Sequence, residues 1–465
     1  MKGNKYNLIL KLFLVLLYVL PHASISCAQS EWEKQSGKVI IHEINNRTVF
    51  HELEKEKDNN GKAWKMHLMD PAPSSGSDGV KLADVNGDGF PDLVTGFEEG
   101  GVSRIYINPG PDRATQYWDY VELPSPDVED AVLVDLNNNG IMDLVTASEG
   151  STNQIMFHWA PENPDDYLDG SEWRTEVLPV TDDLSAWMFV VPADMDGENG
   201  MDLIVGSKRK REDQGNDKAV VGWLRCPEDP KNIGEWEYFP LTKAGWIMSI
   251  KIVDMNSDNK PDILISDRKF STQTGVRWLE NPGNDQKNFF EEWKSNMIGL
   301  EDGEPMFLAV ADLNQDGLED IIVPDLYNGL RIFQQTKDLN DRWKLHSVSY
   351  PDWAAPRGKA VSIADIDLDG NLDIVLSFEE EGNVASIPYS DYKEQGKHSV
   401  IWGSFQDYPF SDKWNFHKVS GLKGRKFDLV ILIDLDGDGD LDVLTNDENE
   451  EGDGLGVVWY ENPTK

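Results

Sequence analysis

Seven stretches of this sequence set oxygen-bearing side chains at alternate positions over nine residues, a spacing that can wrap a chain around one hard cation. They read DVNGDGFPD from Asp84, DLNNNGIMD from Asp135, DMDGENGMD from Asp194, DMNSDNKPD from Asp254, DLNQDGLED from Asp312, DIDLDGNLD from Asp365 and DLDGDGDLD from Asp434. Ligands would come from positions 1, 3, 5, 7 and 9, with position 7 offering its backbone carbonyl. The candidate metal ligands are therefore Asp84, Asn86, Asp88, Phe90 and Asp92; then Asp135, Asn137, Asn139, Ile141 and Asp143; then Asp194, Asp196, Glu198, Gly200 and Asp202. In the later copies they are Asp254, Asn256, Asp258, Lys260 and Asp262; Asp312, Asn314, Asp316, Leu318 and Asp320; Asp365, Asp367, Asp369, Asn371 and Asp373; and Asp434, Asp436, Asp438, Asp440 and Asp442. An all-oxygen set of this size suits calcium better than magnesium, which keeps more of its water. A calcium loop between helices would need a bidentate Glu at position 12, where Thr95, Thr146, Val205, Ile265, Val323, Leu376 and Thr445 stand instead.

Strands must therefore hold these loops. Each is entered through an apolar run such as AVSIA and left through another such as IVLSF, and the copies recur at steps of 51 to 69 residues. A Trp followed by alternating residues keeps the same beat, at Trp64, Trp118, Trp173, Trp236, Trp293, Trp343 and Trp414. Strands ending in a turn, such as VRWLENPG and VVWYENP, supply a third landmark. Four short strands per unit, seven units and no amphipathic helix longer than two turns are the marks of propeller blades. The first unit begins with a Trp64 strand in excess and the last stops at VVWYENPTK, so the Trp64 strand is expected to pair with Val457–Tyr460 and close the ring.

The repeats resemble the FG-GAP or VCBS repeats of integrin α-subunit propellers and of many secreted bacterial proteins, over about residues 63–465. The resemblance implies an all-β, seven-bladed β-propeller with calcium-binding loops between the first and second strands of the blades. It implies up to seven structural Ca2+ ions on the lower face. Copy two has only two carboxylates, Asp135 and Asp143, and copy three carries Glu198 and lacks the usual Gly at Asn199, so these two depart from the pattern.

Residues 1–28 combine Lys2, Lys5 and Lys11, an apolar run from Leu8 to Leu20 and small residues before Ala28, as a signal peptide does. Cleavage near Ala28 would give a secreted or periplasmic protein with no transmembrane segment in the mature chain; a lipoprotein anchored through Cys27 is the rival reading. Residues 29–62 form an extension before the repeats. Only Cys226 then remains, so no intrachain disulfide braces the exported chain, and metal is expected to do so. A net charge of −41 excludes nucleic acid as a natural partner, while 10% aromatic residues argue for a packed fold rather than an acidic tail.

If the acidic loops occupy the lower face, function is expected among the opposite loops. Cations gather there in SKRKRED, DRKF, APRGK and LKGRK, and aromatics fall beside them. The candidate ligand-binding residues are Trp187, Arg209, Trp246, Arg268, Lys269, Tyr327, Trp353, Arg357 and Arg425. Rings beside fixed cations suit a uronic acid or sulfated polysaccharide, because Arg can grip an anion by two hydrogen bonds while a ring covers the sugar's apolar face. The expected function is carbohydrate binding within a bacterial polysaccharide-degradation system. Alternatives are a lyase or hydrolase, with Tyr327 as base and Arg357 or Arg268 as neutraliser, and a protein-interaction or adhesion module. His67, His346 and His417 follow the repeat Trp by three residues, which marks strand positions rather than catalysts.

Overall fold

The computed structural model describes residues 62–210, 219–283, 289–337, 343–380, 397–405, 408–448 and 454–465. Residues 1–28, where a signal peptide is expected, nearly all of the extension and Arg211 lie outside the described residues.

Seven four-stranded antiparallel sheets make the seven blades of a β-propeller. Blade 1 runs through Ser77–Ala83, Asp92–Phe97, Val102–Ile107 and Asp119–Pro124, and the others repeat this order. The second strands, such as Asp92–Phe97, Asp143–Ser148 and Asp262–Asp267, are buried at every residue except half-buried Lys208 at the end of Asp202–Lys208. They read as continuous apolar runs because both of their faces meet a neighbouring blade. Fourth strands such as Asp119–Pro124 alternate exposed and buried positions, as edges in contact with water must.

The repeat Trp residues explain how blades adhere. Each belongs to a different one of the seven clusters packed between neighbouring blades: Trp173 between blades 1 and 2, Trp236 between 2 and 3, Trp64 between 6 and 7, and so on around the ring. The indole N–H donates backward to a carbonyl in the preceding loop, from Trp118 to Ala114, Trp173 to Tyr167, Trp236 to Pro230, Trp293 to Phe289 and Trp414 to Pro409. One side chain thus fills an interface and fixes the connection that leads to it.

The ring closes as expected. Lys65–Leu68 pairs with Gly456–Glu461 as the outer strand of blade 7, matching Met66 to Tyr460 and His67 to Trp459. Glu461 accepts from Lys65 at 2.9 Å and contacts His67 Nε2 at 2.8 Å, so these two strands are tied by side chains as well as by ladder. No helix among the described residues is long and apolar enough to cross a membrane.

Candidate functional site

All seven acidic loops join the first and second strands of their blades. Position 6 is left-handed in every copy, from Gly89 at φ 89° to Asn199 at 63° and Asn259 at 64°, so Asn serves where Gly is missing. The position-9 Asp is the keystone. Asp92 accepts from the N–H of Val85 within its loop at 2.9 Å and from that of Asn108, just past the third strand, at 2.8 Å. Asp202, Asp262 and Asp442 repeat this arrangement. Burial pushes these carboxyls up to about 7, and to about 8 at Asp442, despite the two amides, with neighbouring loop acids adding to the shift. Such oxygen clusters are short of positive charge, and several could hold a metal ion. In Asp194, Asp196 and Asp202, in Asp365, Asp367 and Asp373, and in Asp434, Asp436 and Asp442 the carboxylate oxygens lie within 4.8 Å of one another.

The copies differ in how they meet that shortage. In copy two Asn137 turns its amide nitrogen onto Asp143 at 3.1 Å. Arg225 enters copy three, its Nε 2.6 Å from Asp196 and a terminal nitrogen 3.0 Å from Glu198. Lys260 holds Asp258 in copy four at 2.8 Å. Among the described residues no ion pair of this kind is made by a ligand-position acid of copies five, six and seven.

The second feature lies at the other end of the first strands, six residues or about 20 Å from the acidic loops. A cavity of about 370 Å³ opens there on the propeller axis, lined by residues of every blade. Two offsets generate most of its wall. Six residues before each loop stand Asp78, Glu129, Met188, Met248, Lys359 and Asp428 (Met306 in blade 5), and all six line the cavity. In these six blades the first strand is bulged at this point, which re-aims the side chain toward the axis. Six residues after each loop stand Glu98, Glu149, Lys208, Arg268, Glu379 and Glu448, with Leu326 in blade 5.

The wall is two-sided in charge. Blades 7, 1 and 2 present mainly carboxyls. Glu98 is pushed up to about 8 by burial and by Glu129 and Glu99; Asp78 and Glu448 are also raised, first by burial and then by neighbouring acids. Lys426 lies against Glu448, and the acids around this lysine outweigh the effect of its burial and hold it charged. Blades 3, 4 and 6 bring cations and rings. Lys208 bridges Glu129 at 2.9 Å and Glu149, Arg357 meets Glu379 at 2.5 Å, Lys359 meets Asp428 at 2.5 Å and Arg268 meets Glu304 at 2.7 Å. Around the Trp246 ring, Lys208, Lys269 and Arg268 lie at 4.8, 4.9 and 5.0 Å from its centre.

The ligand residues expected from sequence are thus divided. Trp246, Arg268 and Arg357 line the cavity and Lys269 adjoins it. Arg209 lies 4.1 Å from the Phe270 ring at the same edge, and Tyr327 is 57% exposed with Arg357 at 5.6 Å from its ring. Trp187 and Arg425 need correcting. Trp187 has no exposure, packs between blades 2 and 3 and donates to the Thr181 carbonyl; Arg425 is 1% exposed, so neither offers a surface to a ligand. Trp353 sits apart, edge-on to His398. Sequence reasoning passed over Glu98, Glu129, Glu149, Glu379, Glu448, Asp78 and Asp428, although their constant offset from the acidic loops would have found them. Four of the described histidines hold packing positions: His67, His346 and His417 stack on Trp459, Phe410 and Trp402, and buried His158 is pushed down to about 3 between Thr146 and Thr175.

Residues 84–146, 254–323 and 312–376 match the family described as FG-GAP-like repeat. No curated protein matches the sequence. Among solved structures the chain is similar to BBS1N in complex with ARL6DN. In crystals soaked with lead the identity is 10% and the TM-score 0.46, over 86% of this chain and 95% of that one. In crystals soaked with mercury the values are 12% and 0.45, over 86% and 98%. At these scores neither likeness bears on what the protein binds.

Proposed function

We propose that this chain, a seven-bladed propeller of FG-GAP-like repeats, is an exported binding module whose axial cavity takes an anionic polysaccharide, uronic or sulfated, in a bacterial polysaccharide-degradation system. Trp246 carries the reading. Its ring stands at the cavity wall with three cationic groups within about 5 Å, and its buried indole N–H has no hydrogen-bond partner. Buried donors are normally satisfied, and a sugar acid resting on the ring would bring both an acceptor for the N–H and a charge for the cations. Lys269 points the same way: burial, then Arg268, holds its ammonium below the ordinary lysine range, a strain that a bound anion relieves.

Calcium belongs to the other end. Asp365, Asp367, Asp369 and Asp373, and Asp434, Asp436, Asp438 and Asp442, would hold it most readily, where its charge neutralises the loop acids and braces a chain without disulfides.

The test is binding of immobilised polygalacturonate, alginate and heparin at rising salt, with Trp246→Ala beside the natural chain. Binding that weakens with salt and is weakened roughly tenfold in the variant supports the reading; binding of none of the three overturns it. A lyase is the second reading, favoured by the Arg357 guanidinium near Tyr327. The grip of Glu379 on that guanidinium at 2.5 Å weighs against it. Ultraviolet absorbance of an unsaturated product separates lyase from binder.

A further inference from the structure

We infer that the axial cavity is an end site: it receives the terminal residue of the polysaccharide, with the acid group against the Trp246 wall and the hydroxyls against the facing carboxyls of blades 1, 2 and 7. This inference rests on the reading above and adds which part of the polymer is recognised.

Enclosure is the first argument. The lining comes from all seven blades, so the cavity is walled on every side. It is also floored. Phe189 of blade 3 meets Phe307 of blade 5 edge to face at 6.1 Å, and Lys81 of blade 1 reaches past blade 2, bonding Asp130 at 2.6 Å and the Val190 carbonyl of blade 3 at 3.2 Å. Contacts between blades that are not neighbours close the axis below the cavity. A chain can therefore enter but not thread through, and an internal stretch would have to fold back on itself inside about 370 Å³. That volume is at the small end of the roughly 300–1,000 Å³ of ligand pockets, room for a terminal sugar or two.

Unmatched hydrogen-bonding groups are the second argument. At the cavity wall the Trp246 N–H is a buried donor without an acceptor, and one Asp78 carboxyl oxygen is buried without a donor. A ligand that satisfies both must present acceptors and donors together, as a sugar end bearing an acid group and free hydroxyls does; along the chain one of those hydroxyls is consumed by each linkage. Glu98 and Glu129 stand beside Asp78, and burial together with these neighbouring acids raises Asp78 and Glu98 above the ordinary carboxyl range, so this wall is short of donors. Planar carboxyls spaced along one wall match adjacent hydroxyls, each able to take part in two hydrogen bonds.

Chain ends can be varied at constant mass. Polygalacturonate, alginate and heparin would each be titrated calorimetrically with the full chain before and after partial acid cleavage, with free ends counted by reducing-sugar assay. The end site predicts that bound protein per gram of polymer rises in proportion to the number of ends, and that Trp246→Phe, which keeps a ring but loses the N–H, binds the shortest fragments about tenfold more weakly. Capacity that stays constant or falls as chains shorten overturns the end site while leaving polysaccharide binding intact. Binding of none of the three polymers removes both. Trp246→Phe binding short fragments as tightly as the natural chain, with an unchanged melting curve, also overturns the inference.

Discussion

Glu98 and Lys208 occupy the same offset in different blades, and their contrast shows how the cavity works. Lys208 is held by Glu129 and Glu149, whereas Glu98 adds a further acid to a crowded wall and is pushed up to about 8. A carboxyl raised in the folded state binds more protons folded than unfolded between its ordinary value near 4.5 and 8. Its contribution to stability is fully present below the unfolded value and is lost as pH rises through about 8. Glu98→Gln should therefore flatten the decline in melting temperature between about pH 5 and 8; an unchanged slope would place the proton elsewhere. Trp246→Ala should lower affinity for an anionic oligosaccharide by roughly tenfold, about 1–2 kcal/mol, with little change in melting. These wall positions were hard to see in the sequence for a physical reason. Acids, Lys and Met share the offset before the loops, and acids, bases and Leu share the one after them, so residue type carries no period there. Trp187 misled for the converse reason: nothing local distinguishes a ring at a strand entrance that faces the axis from one that faces the neighbouring blade.

The acidic loop and the closing strand were legible because each repeats a geometric demand. Every copy needs two left-handed residues, at positions 4 and 6, and a buried Asp at position 9 that binds two backbone amides, so its residue types recur. What the pattern hid is the local relief of charge, such as Arg225 reaching Asp196 from a third strand. The loops should accordingly respond unequally. Asp369→Asn in copy six should reduce the rise in melting temperature on adding calcium, whereas Asn137→Ala in copy two should leave it unaltered. Equal losses would show that the ion pairs and amide contacts do not decide which loops fill. The Lys65–Leu68 strand is testable by truncation. Removing residues up to 69 exposes the Gly456–Glu461 edge and strips Trp64, Met66 and Leu68 from the cluster between blades 6 and 7, which should cost more than about 3 kcal/mol. A truncated chain as stable as the whole one would mean that closure by this strand contributes nothing.

At the scale of the molecule, one face is built of repeated acids and the other of a single, irregular cavity. A net charge of −41 opposes compaction, and cations bound only by the folded state would offset it by mass action, about 4 kcal/mol per site at a thousandfold excess over Kd. Chelation should lower the melting temperature, more steeply at low salt where the acids are least screened. Against that negative background the Trp246 side stands out as the wall where Lys208, Arg268 and Lys269 gather around one ring. The account is tested most directly by locating the sugar: a crystal of the full chain soaked with a tetragalacturonate. It predicts density on the propeller axis, one end of the oligomer between Trp246 and Glu98 and the remainder leaving toward solvent past Tyr327. Density lying along the outer strands or over the acidic loops, with the axial cavity free of sugar, would contradict it.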